Sequence, residues 1–162
     1  LLVLILYILA ATILLLINMN KVLHPVEIVL YWMINAMINE EFILITIANL
    51  KVIKMPNEPI PAITLLISKI YLMPMLSLCF LTYFLIFQTT ISRIILISIS
   101  VLVHTSCLYI NEWLGLVNLI HWSYDLTIIF WGAVLFVNLF LLFGYRKLLR
   151  RVGIVNESIN NA

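Results

Sequence analysis

The chain is expected to fold as an all-α bundle of about five membrane helices, and three observations carry that expectation. Its mean hydropathy is +1.19. Of its 162 residues 65% are hydrophobic and only 10% charged, with too few glycines and prolines for a disordered chain. The apolar residues fall in runs of roughly 20, the length needed to cross a hydrocarbon core about 30 Å thick. A water-soluble domain of this size needs far more polar surface to cover it.

The first run, about residues 1–19, carries no charge. No basic segment precedes it and no small-x-small cleavage site follows, so a retained helix is expected rather than a signal peptide. It ends at Asn20-Lys21, and His24-Pro25 then breaks the chain, because a residue before proline is disfavoured in the helical region. A second helix is expected over about 28–50. Pro56, Pro59 and Pro61, with Lys51, Lys54 and Glu58, keep the next connection from being helical throughout. The third helix is expected over about 62–87. Its Pro74 has no N–H to offer the carbonyl of Ile70, which predicts a kink one turn after Lys69. After Gln88-Thr89-Thr90 comes a fourth helix, about 91–111. Trp113, His121, Trp122 and Tyr124 follow, amphipathic aromatics suited to the headgroup level. The fifth helix is expected over about 125–145, capped by Asp125. The chain thus reads as one transmembrane domain, residues 1–145, and a basic tail, residues 146–162.

Lys and Arg set the expected orientation. With the C-terminus in the cytoplasm, Lys21, Arg93, Arg146, Lys147, Arg150 and Arg151 lie inside, against Lys51 and Lys54 outside. The N-terminus is therefore expected outside. The cluster from Arg146 to Arg151 suits anionic headgroups, whereas a net charge of +2 gives no reason to expect nucleic acid. Cys79 and Cys107 sit in apolar runs without a C-x-x-C spacing and read as buried thiols. The wealth of Ile, Leu, Asn, Lys and Phe fits an AT-rich genome. A bacterial plasma membrane is the favoured location, with an organellar inner membrane as the alternative.

Polar residues recur at helical spacing. The second helix has Trp32, Asn35, Asn39, Thr46 and Asn49; the third has Thr64, Ser68, Tyr71 and Thr82. On the fourth are Ser100, His104, Cys107 and Asn111, and on the fifth Thr127, Trp131, Asn138 and Tyr145. Lipid tails cannot satisfy these groups, so the stripes are expected to face one another as interhelical hydrogen-bond glue.

The ionisable groups within the spans stand apart. A charge at the centre of a membrane helix costs about 2.5–3.5 kcal/mol by insertion measurements. Glu40 and Glu41 lie well inside the second run, with Lys69 and His104 at similar depth on the third and fourth. A buried pair between Lys69 and one of the glutamates is expected, with Glu40 nearer the Asn35/Asn39 face. Glu40, Glu41, Lys69, His104, Asn35 and Asn39 are therefore the candidate buried polar or ion site. His121-Trp-Ser-Tyr-Asp125, with Glu112, is a weaker metal-ligand candidate; headgroup contact by His121 is the plainer alternative. No cofactor is expected, since no phosphate-binding Gly loop, nucleophile elbow or haem-type Cys pair occurs.

The order Glu40-Glu41, His104 and His121-x-x-x-Asp125 resembles the E-E-x-x-x-R, F-x-x-x-H and H-x-x-x-N/D motifs of CAAX-type intramembrane metalloproteases. Ile45 stands where that family has Arg, and Ser100 where it has Phe. The ending, Glu112-Trp-Leu-Gly-Leu, then Trp122 and a last helix closing on Tyr-Arg-Lys, is similar to small multi-pass membrane proteins of Bacillus-like spore-formers. That resemblance implies no activity. Two classes of function stay open: a structural, assembly or sensor component working with the bilayer and other membrane subunits, and a small proton- or cation-coupled carrier or channel element. The protease is a third alternative.

Overall fold

In a computed structural model that describes residues 2–19, 22–54 and 58–151, the expected runs are all helical. The chain runs α1 (Leu2–Met19), α2 (Pro25–Ile43, extended by a π-helical turn Leu44–Asn49), β1 (Ile53–Lys54), α3 (Pro59–Ile67), a π-helical turn Ser68–Leu72, α4 (Met73–Ile86), α5 (Thr90–Trp113), β2 (Asn118–Leu119) and α6 (Tyr124–Arg151). Asn20-Lys21, Pro56 and tail residues 152–162 lie outside the described residues.

Four stretches are long and apolar enough to cross a membrane: Pro25–Asn49, Pro59–Ile86, Thr90–Trp113 and Tyr124–Leu148. They make this a membrane protein. Among the described residues, α1 offers a shorter apolar stretch, Leu2–Ile17. The span Pro59–Ile86 is the centre of the bundle, with 61% of its apolar window buried against 22–39% for the other three. Met73, Leu78 and Leu81 of α4 are sealed among Tyr31, Trp131, Leu135 and Leu142 from α2 and α6.

Local chemistry explains where the helices begin and end. Pro25 occupies the first turn of α2, where its missing N–H costs nothing. His24 and Glu27 cap that turn reciprocally: the His24 side chain accepts from Val26 N–H, and Glu27 accepts from His24 N–H at 2.9 Å. This moves the start of α2 to residue 25, ahead of the expected 28. Likewise Pro59 and Pro61 fall in the first turn of α3, so the helix starts before Ala62. At the end of α5, Gly115 takes φ +69°. Its N–H goes to the Glu112 carbonyl and that of Leu116 to Asn111, the Schellman pattern that closes a helix. Lys51 plays the equivalent left-handed role after α2, at φ 53°.

Two expectations need correction here. Ser123, rather than Asp125, caps α6: its hydroxyl accepts from Leu126 N–H at 3.4 Å and its carbonyl from Thr127 N–H. The last helix also runs through Arg151, well past the expected end at Tyr145. The break at Pro74 is a widened turn in which Met73 N–H reaches the Ser68 carbonyl, five residues back. The Ile70 carbonyl that Pro74 cannot serve accepts instead from the Trp32 indole N–H, at 3.2 Å.

The short strands pair antiparallel, Ile53 with Leu119 and Lys54 with Asn118, and staple the α2–α3 connection to the α5–α6 connection. At the opposite end, Arg93 lies over the Phe84 ring (4.9 Å), Phe84 packs on Phe143 (6.3 Å), and Arg146 meets Glu27. Arg93 and Arg146 therefore share one end of the bundle and Lys54 lies at the other.

Candidate functional site

The polar stripes turn inward. Asn35, Asn39, Thr46, Thr64, Ser68, Thr82, Ser100, His104, Asn111, Thr127, Trp131 and Asn138 are all buried, whereas Asn49 is exposed. They are not all glue between helices. Thr46, Thr64, Thr82 and Thr105 donate to carbonyls four residues back in their own helices, the usual self-satisfaction of a hydroxyl within a helix.

The amides and the histidine do bridge. Asn35 on α2 and Asn138 on α6 exchange amide hydrogen bonds at 2.8 and 2.9 Å, and each also donates to the carbonyl one turn back in its own helix. Both donors of each amide are used. Asn39 donates to the Asn35 carbonyl, while its Oδ1, like the Tyr31 hydroxyl, is buried without a hydrogen-bond partner among the described residues. Asn111 accepts from the Tyr7 hydroxyl of α1 at 2.8 Å and reaches Ser68 at 3.5 Å. His104 places Nδ1 2.7 Å from the Ser100 carbonyl and Nε2 3.2 Å from the Ser77 hydroxyl. A carbonyl only accepts, so Nδ1 carries a proton and a neutral ring accepts from Ser77 at Nε2.

Lys69 is 4% exposed. Its Nζ lies against two ring faces, 5.2 Å from the centroid of Phe42 and 6.0 Å from that of Trp131. Trp131 in turn packs against His104, with the ring centroids 4.4 Å apart and the planes tilted by 41°. The expected Lys69–glutamate pair is not formed: Glu40 and Glu41 are both exposed, on the outer side of α2. The reason is angular. Asn35, Asn39, Phe42 and Thr46 define the inward stripe, and at about 100° per residue Glu40 and Glu41 fall on either side of it and outside it. Aromatic faces supply what attraction Lys69 has, in a desolvated setting where such contacts are strongest.

Among the described residues the one ion pair joins Glu27, which did not stand out in the sequence, and Arg146, which was expected at anionic headgroups rather than in a pair. Arg146 Nε reaches Glu27 Oε1 at 2.9 Å and its Nη2 reaches Oε2 at 3.1 Å, a two-pronged contact. Nη2 also donates to the Val22 carbonyl. Glu27 is 1% exposed. The signal for Glu27 was present in the His24-x-x-Glu27 capping spacing; nothing in the pattern pointed to its partner on α6.

Further along α2 a groove of about 600 Å³ opens on the surface, between Ile34, Met37, Ile38 and Ile45 of α2 and Trp122 and Phe130 on the far wall. Its lining is apolar apart from Thr46 and Glu41. Phe42 forms the partition between this groove and Lys69.

The metal candidates do not assemble. Glu112 is taken by the Tyr124 hydroxyl, His121 and Asp125 are exposed, and no three His, Cys, Asp or Glu side chains come together among the described residues. Glu40 and Glu41, outside the bundle, are likewise separated from His104 inside it, so the metalloprotease-like constellation is not built. Comparison of the chain with family models, characterised proteins and solved structures finds no match.

Proposed function

We propose that this chain is a non-enzymatic structural component of a membrane assembly. One observation carries this reading: Asn35, Asn138 and His104 are closed on fixed partners, while two carboxylates unmatched among the described residues stand on the outer face of α2. A carrier built on Glu40 and Glu41 needs them on an interior path, and they lie outside the bundle. Reciprocal amide bonds hold α2 and α6 in one register, which suits a frame on which other subunits pack. The six-to-two Lys/Arg asymmetry supports a cytoplasmic C-terminus. The residue composition, together with the likeness to small multi-pass proteins of spore-formers, supports a bacterial plasma membrane.

Proteoliposomes loaded with a pH-sensitive dye test this reading. An imposed gradient should dissipate no faster than in empty vesicles. Faster dissipation that Glu41→Gln or Lys69→Met abolishes would replace the structural role with transport.

A further inference from the structure

Glu40 and Glu41 interrupt an otherwise apolar outer stripe of α2, with exposed Val29, Met33 and Met37 before them and Leu44 and Ile45 after. Glu41 lies inside the span Pro25–Asn49, a stretch long and apolar enough to cross the hydrocarbon. It also edges the apolar groove between α2 and Phe130. Acyl chains fill such a groove but leave the carboxylate without a partner, and intramembrane acids pair with bases where they can.

Among the described residues a second copy of this chain offers no base at that depth. Among the described residues Lys69 is buried, and every exposed lysine or arginine (Lys51, Lys54, Lys147, Arg151) lies at a helix end or in a connection. The groove, by contrast, has the shape and polarity to receive the side of another helix, whose base would meet Glu41 at the rim. We infer that the α2 groove is a docking site for a transmembrane helix of a different protein, one carrying a lysine or arginine opposite Glu41. This rests on the assembly reading above and names the kind of partner it requires.

The test uses synthetic apolar helices of about 20 residues, the length of one span. One carries a single central lysine and its control carries leucine there. Energy transfer from labelled full-length protein is read in phosphatidylcholine vesicles. The lysine helix should bind about tenfold more tightly than the control, the scale of one good interhelical polar contact. Glu41→Gln should remove that preference and Glu40→Gln should retain most of it. Both side chains are on the surface, so these variants fold.

Equal binding of the two helices, or a lysine preference that survives Glu41→Gln, overturns the inference. Self-association of the chain that depends on Glu41 and excludes the lysine helix also overturns it, in favour of a second copy. Proton flux in the dye assay would defeat the assembly reading by itself and leave the helix-binding result readable.

Discussion

Helix α2 carries three glutamates, and its two halves treat them oppositely. In the first half Glu27 is sealed at 1% exposure, bound by both prongs of Arg146 and by the His24 backbone. In the second half Glu40 and Glu41 face outward, unmatched by any cation among the described residues and beside an open groove. Between the halves the Asn35–Asn138 clasp ties α2 to α6. The same side chain is thus an internal fastener at one end of the helix and a free group at the other. Stability and partner choice should accordingly respond to different glutamates.

The largest effect is expected where the fastener is cut. Arg146→Met leaves Glu27 buried without its counter-charge and should cost about 3–5 kcal/mol, whereas Arg146→Met with Glu27→Gln should cost markedly less. Reversible unfolding in mixed micelles measures the cycle; additive losses would show that the two groups do not interact. Next comes the clasp. Asn35→Leu strands the amide of Asn138 and should cost about 1–2 kcal/mol, part of which the double change to leucine restores. Trp32→Phe removes the donor that serves the Ile70 carbonyl beside Pro74 and should cost about 1 kcal/mol, read as a lowered thermal midpoint. The smallest effect belongs to the open half. Glu40→Gln with Glu41→Gln should leave the midpoint of the isolated protein unchanged or slightly raised. A drop comparable with that of Arg146→Met would mean that these side chains are fasteners too.

Periodicity made much of this legible. Run length gave the helices, the i, i+4 stripes gave the buried faces, and the missing N–H of Pro74 identified the orphaned carbonyl of Ile70. What it did not yield were features that depend on two distant segments meeting. The Glu27–Arg146 pair joins residues 119 apart, and the two-residue strands are too short to leave a pattern. The Lys69 expectation failed differently: similar depth, and Glu40 being the nearer of the two to the Asn35/Asn39 face, do not bring either carboxylate inward. With the stripe Asn35, Asn39, Phe42 and Thr46 taken as inward, both glutamates are about 130° from its centre, at about 100° per residue. That places them outside a core-facing stripe.

The central claim is that the acidic half of α2 faces outward, free for a partner. Spin labels at positions 37, 39 and 41, read for collisions with oxygen in the bilayer, test it most directly. Met37 is 64% exposed and Asn39 fully buried, so they bracket the range. The label at Glu41 should match the one at Met37 in the purified protein. Protection equal to that at Asn39 would put Glu41 inside the bundle and contradict the claim.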